Sequence, residues 1–239
     1  MKLPAKLSAA LVSLLALSAT AFGGTLKINT SAVSNGSSGG SYTITLLSGD
    51  ETNSGYSATS KLSDGTFEGF CLEPGEYFTS GGTYDYTIGN IVYGGGANSH
   101  GGGPGDPLSV GTAWLYSQFA LGTLANFDYS LAGRKSDNLE LQFAFWNLED
   151  EGYSLSANYQ SLLIGQFGSI AAAQQNAEAG AYGVWALNLT STDSKGKVTQ
   201  HQSQLFYQTP PTVPDNGATL ALIGAAFLSL GLVRRKLAK

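Results

Sequence analysis

Apolar and polar residues alternate along Thr25 to Val33 and again along Tyr42 to Leu47, with Thr, Ile and Val prominent, so both stretches predict β-strands. Between them, Ser34 to Ser41 is Gly/Ser/Asn turn material with an Asn35-Gly36 step. A polar link, Ser48 to Asp64, leads into Thr66 to Phe78, a further strand interrupted by a Pro74-Gly75 turn. Thr83 to Ile88 alternates once more. Gly94 to Asp106 is Gly-rich and predicts a flexible surface loop.

After that loop the period changes from two to that of a helix. Leu108 to Leu124 places Val110, Ala113, Trp114, Phe119 and Ala120 at helical spacing. Ser136-Asp137 reads as an N-cap before a helix over Leu139 to Glu149, whose Leu141, Phe145 and Leu148 form an i, i+4, i+7 stripe. Ser156 to Ala181 predicts one or two helices broken near Gly168. Strands return over Ala181 to Leu189 and Gln204 to Gln208. The fold class is therefore β-rich α+β: a sheet or barrel body with a helical insertion at about 108–180 and no internal repeat.

The two ends follow other rules. Residues 1–21 have Lys2 and Lys6, an apolar run from Leu7 to Leu17 and an Ala19-Thr20-Ala21 site, the layout of a signal peptide. The body occupies 22–209. Residues 210–218 form a linker with the turn motif Val213-Pro214-Asp215-Asn216-Gly217. Residues 219–239 hold an uncharged run of 15 residues, Thr219 to Val233, then Arg234, Arg235, Lys236 and Lys239. That run is short against the roughly 20 residues of a comfortable span. Its basic stop holds the C-terminus inside, with the body outside.

Six of the 12 basic residues sit in these end segments, so the remaining six face 17 acidic ones, a formal charge of −11. Such a body argues against nucleic acid and anionic lipid as partners. Cys71 is the single cysteine, which excludes a disulfide framework in an exported chain.

Two short boxes hold the candidate chemistry: Phe70-Cys71-Leu72, and Leu141 to Trp146 with its Gln142 carboxamide. On residue type alone, Cys71 reads as a small buried hydrophobe and Gln142 as solvent-facing. His100 and His201 read as solvated, without a third ligand for zinc. Glu149-Asp150-Glu151 reads as a solvated acidic turn, because EF-hand spacing is absent. Gly94 to Gly96 and Gly101 to Gly103 lack the Lys-Ser/Thr of a phosphate loop. Trp114 and Trp185 read as core. No motif points to a catalytic residue, a metal site or a cofactor, and an enzyme is not expected.

The tail, with its turn motif, short span and basic stub in that order, resembles the PEP-CTERM sorting signals, in the variant that begins Val-Pro-Asp-Ser-Gly. Asn216 stands at the usual Ser. The resemblance implies an exported protein of a bacterial cell surface or extracellular matrix. Its tail would be read by an exosortase-type sorting enzyme and held in the membrane through the C-terminal helix. The two boxes resemble those of bacterial thioester domains, over roughly Thr66 to Leu189, although Phe143 and Phe145 are bulkier than the usual aliphatic residues. This second resemblance implies a bond between the Cys71 sulfur and the Gln142 side-chain carbonyl carbon, shielded by Phe70, Phe145 and Trp146. An amine- or hydroxyl-bearing surface or matrix polymer would be the partner captured. The alternative is a structural matrix protein of the same sorting class whose Cys71 is only buried.

Overall fold

The computed structural model describes residues 23–31, 39–48, 66–93, 105–130 and 133–208. The expected signal peptide, the sorting motif, the C-terminal helix with its basic stop, and His100 lie outside the described residues.

Six antiparallel strands form one sheet in the order β3-β2-β1-β4-β7-β8: β1 (Gly23–Thr30), β2 (Tyr42–Ser48), β3 (Phe67–Gly69), β4 (Thr83–Gly89), β7 (Val184–Thr192) and β8 (Val198–Tyr207). A two-stranded ribbon, β5 (Ile91–Tyr93) with β6 (Gly105–Pro107), stands beside it. Four helices lie between β6 and β7: α1 (Val110–Leu121), α2 (Arg134–Leu148), α3 (Ala157–Phe167) and α4 (Ile170–Ala173). The protein is thus β-rich with a helical insertion, and the sheet curls into a half-barrel. Among the described residues, no helix is long and apolar enough to cross a membrane.

Where the sheet curls, its first and last strands meet through the residues that follow β3. Leu205 N donates to Phe70 O at 2.9 Å, and Leu72 N donates to Ser203 O at 3.0 Å. Cys71 is bridged to Gln204 between them. Residues 70–72 thereby act as a seam.

The period-two alternation sorts side chains into two apolar clusters. Phe70, Leu72, Val184, Ala186 and Leu205 pack with the helices, against Tyr116, Phe119, Leu141 and Phe145. Leu26, Ile28, Ile44, Phe67, Cys71, Leu187 and Phe206 form the other cluster, which α2 reaches with Trp146. Burying a side chain the size of Ile28 or Phe206 contributes roughly 1.5–3 kcal/mol, so these clusters carry much of the stability. Trp114 and Trp185 are only partly buried, each packed at the margin of a cluster.

Several expectations about boundaries are corrected. α2 begins five residues early, at Arg134 after Gly133, with no side-chain cap. Ser136 and Asp137 lie inside it, where Asp137 Oδ2 accepts the Asp128 N–H at 2.6 Å. The strand expected over Thr66 to Phe78 pairs only at Phe67–Gly69 and bridges at Cys71. Asp106, placed by sequence in a surface loop, is buried at 1 % exposure in β6. The break near Gly168 is where expected: α3 ends there because that glycine adopts a left-handed φ of 82°.

Candidate functional site

The site is organised by one row of polar residues on α2. Arg134, Asn138 and Gln142 recur every four residues, so they lie on a single helix face. All three are buried. Each meets one group on the neighbouring sheet edge. Arg134 forms an ion pair with Glu68 of β3. Asn138 Nδ2 donates to Ser41 Oγ at 2.7 Å, and Ser41 Oγ donates to Glu68 Oε1 at 2.8 Å. Gln142 meets Cys71.

That last contact has two points. Cys71 N donates to Gln142 Oε1 at 3.0 Å, and Gln142 Nε2 donates to Cys71 O at 2.7 Å. Its geometry follows from the strand. Phe70 O and Leu72 N are bonded to β8, so the Cys71 peptide groups point the other way, where a further strand would lie. β2 pairs only as far as Gly69, through Tyr42, and the chain before it turns at Gly39 and Gly40. The Gln142 carboxamide, itself a peptide-like group, stands where the missing neighbour would be. Gln142 is 0 % exposed, which corrects the solvent-facing expectation from residue type. Gly39 makes the approach possible: its φ is 99°, and a Cβ there would sit 2.8 Å from Gln142 Cγ and 3.1 Å from Trp146.

The Cys71 sulfur lies in the cluster that contains Trp146 and Phe206. Gln204 Nε2 donates to it at 3.4 Å, and the Tyr42 hydroxyl reaches it as well. Burial pushes the thiol up to about 12, against the milder lowering by these two groups, so the sulfur is held protonated at neutral pH. Phe70 and Phe145 are neighbours, with rings 5.2 Å apart, but they belong to the helical cluster rather than to that of the sulfur. The structure thus gathers Cys71, Gln142 and Trp146 closely, and puts Phe70 and Phe145 one layer away. Beside Trp146 and Tyr42 opens a cleft of about 240 Å³, which Phe78, Glu76 and Gln202 also line. Burial pushes Glu76 up to about 7.

A second polar region lies a few residues along the chain. Glu149, Asp150 and Glu151 were expected to be solvated, yet Glu149 and Glu151 are buried and only Asp150 is exposed. Glu149 Oε1 accepts from Ser109 N at 3.1 Å and Ser109 Oγ at 2.9 Å, at the N-terminus of α1. Helix-end amides favour a carboxylate there. Burial outweighs them and pushes Glu149 up to about 7. Glu151 meets Glu73 and Asp106 in a buried acidic cluster. Burial, then the like charges of Glu151, Glu76 and Asp106, push Glu73 up to about 8. His201, also expected in solvent, is half-buried, hydrogen-bonded to Ser191 at 2.7 Å and packed at a tilt on the Tyr84 ring.

Sequence reasoning passed over Glu68, Arg134, Asn138, Ser41 and Gln204. The i, i+4, i+8 spacing of Arg134, Asn138 and Gln142 was a usable signal for the first part of this set. No pattern announced Gln204, which β8 brings 133 positions along the chain to the sulfur. Compared with family models, curated proteins and solved structures, the chain matches none.

Proposed function

We propose that this chain is an exported cell-surface or matrix protein, sorted through its C-terminal signal, whose body couples covalently to a partner through a Cys71–Gln142 thioester. The observation that carries the reading is the buried two-point contact between the Gln142 carboxamide and the Cys71 peptide. It holds the carboxamide against the backbone of the nucleophile's own residue, so the two groups need no long-range search to meet.

The Cys71 sulfur attacks Gln142 Cδ and a C–S bond forms. The Cδ–Nε2 bond breaks and the nitrogen leaves as ammonia, taking the thiol proton. Charge developing on Oε1 faces the Cys71 N–H, an oxyanion donor already in position. Burial keeps the sulfur protonated at rest, so it must give up its proton as it attacks, and the departing nitrogen takes that proton. An amine or hydroxyl of a surface or matrix polymer, entering by the cleft at Trp146, would then attack Cδ. The C–S bond breaks, the sulfur regains a proton, and an amide or ester to the partner remains. This is a single coupling, not turnover, so no enzyme activity is proposed.

The second reading is a structural matrix protein of the same sorting class, in which Gln142 only closes the strand edge. It is favoured by the fact that both Gln142 polar atoms are satisfied by the Cys71 peptide. Intact mass of the purified body separates the two. A deficit of one ammonia, absent in Cys71→Ala and Gln142→Glu, supports the thioester; full mass with a free thiol overturns it.

A further inference from the structure

Glu73, Asp106 and Glu151 come from three separate segments: the turn after the seam, β6, and the connection from α2 to α3. One carboxylate oxygen from each lies within 4.8 Å of the others. Their side chains are 1 %, 1 % and 7 % exposed. Glu73 is fixed from behind, since its carbonyl accepts Gln202 Nε2 at 2.8 Å. Glu151 is turned inward between two left-handed residues, Asp150 (φ 61°) and Gly152 (φ 76°). Arg134, the one buried cation among the described residues, is committed to Glu68. Within the cluster, Glu73 Oε2 is buried, and the Glu73 carboxyl meets no side-chain hydrogen-bonding partner besides the Glu151 carboxyl.

Burying one unpaired carboxylate costs several kcal/mol, and bringing three together adds their repulsion. A cation at their centre removes both costs. We infer that Glu73, Asp106 and Glu151 form a binding site for one calcium-sized divalent cation. The donors are all carboxylate oxygens, which select a hard ion over zinc or copper. Oxygens within 4.8 Å of one another can ligate one ion together, and a buried set of protein carboxylates suits calcium, at roughly 2.4 Å, better than magnesium, which keeps most of its waters. The site stands apart from the thioester reading. It nevertheless bears on the same segment, because Glu73 follows Cys71 by two residues. A bound ion would tie the seam to β6 and to the end of α2.

The test uses the full chain, purified in mild detergent and stripped with EDTA, then titrated with calcium chloride. Saturable binding near one ion per chain is expected, with a rise in Tm of about 5 °C or more at saturation and a smaller response to magnesium. Glu73→Gln combined with Asp106→Asn should abolish the calcium response. The stripped variant should melt no lower than the stripped parent, because the change removes buried repulsion. Terbium bound at the site should be sensitised by tyrosine or tryptophan in the parent alone. No calcium binding in the parent, as a cluster held together by shared protons would give, overturns the inference. So does a response that the double variant keeps.

Discussion

Cys71 and Gln142 stand 71 positions apart and meet through two hydrogen bonds, of 3.0 and 2.7 Å, between a strand's outward peptide groups and a helix side chain. The contact joins the seam of the half-barrel to α2. In the uncoupled protein it makes Gln142 structural; a thioester would keep the Cys71 N–H bond to Oε1 and lose the Nε2 bond with the departing ammonia.

Replacing Gln142 therefore tests two things at once. Gln142→Ala leaves the Cys71 N–H and C=O buried without partners, a loss of about 2–5 kcal/mol. Gln142→Glu keeps the shape and one acceptor, so chemical denaturation should show a smaller loss. Both should abolish capture of a small amine such as methylamine. Equal capture by the parent and Gln142→Glu would break the link between this residue and coupling.

The thiol gives a pH test. In the uncoupled protein the folded value is near 12, above the ordinary 9.0, so the folded state holds its proton more tightly than the unfolded chain. That contribution is fully present below pH 9 and is lost as pH rises toward 12. Between pH 9 and about 10.5 the uncoupled parent should lose about 2 kcal/mol more stability than Cys71→Ala. Parallel curves are expected from a thioester-bearing protein, which has no thiol to titrate. Alkylation after denaturation checks which form is present.

Arg134 is the counter-ion of a buried carboxylate, and removing it should be costly. Arg134→Ala leaves Glu68 uncompensated, with a loss of about 3–5 kcal/mol. The pair Arg134→Met and Glu68→Gln should recover most of it. Urea midpoints of the single and double variants provide the measurement.

Gly39 should resist substitution more than another left-handed glycine. Gly152 has φ 76° and nothing within 4 Å of an added Cβ, so Gly152→Ala costs only backbone strain, of order 1 kcal/mol. Gly39→Ala adds a clash with Gln142 and Trp146 and should lose at least about 1 kcal/mol more. It should also shift tryptophan fluorescence.

Export is tested at the tail. Neutralising Arg234, Arg235 and Lys236 should weaken membrane retention and tail processing, as read by fractionation and immunoblot. An unprocessed parent chain resident in the cytoplasm would contradict the sorting proposal.

The sequence by itself determined the elements whose side chains follow one periodicity. Alternation in Thr25 to Val33, Tyr42 to Leu47 and Thr83 to Ile88 marks strands, because a strand with one buried face must alternate, although β1 ends at Thr30. The Leu141, Phe145, Leu148 stripe marks the apolar face of α2, and Gly168 marks the break after α3. Where local signals were weak, the reading failed. The first residues of β8, Val198 to Gln200, are all exposed and do not alternate between a buried and an exposed face, and only pairing with β7 makes them a strand. The start of α2 lacks a capping side chain and so left no signal.

Tertiary structure alone decided which polar residues lost their water. Nothing local distinguishes Glu151, which is buried, from Asp150, which is exposed. Asp106 sits in a Gly-rich stretch that reads as loop, yet it is enclosed. Gln204 reaches the Cys71 sulfur, and Arg134 reaches Glu68, only because the half-barrel and α2 pack as they do. The physical reason is that periodicity records which faces are apolar, whereas a polar group's environment depends on what is packed over it from distant parts of the chain.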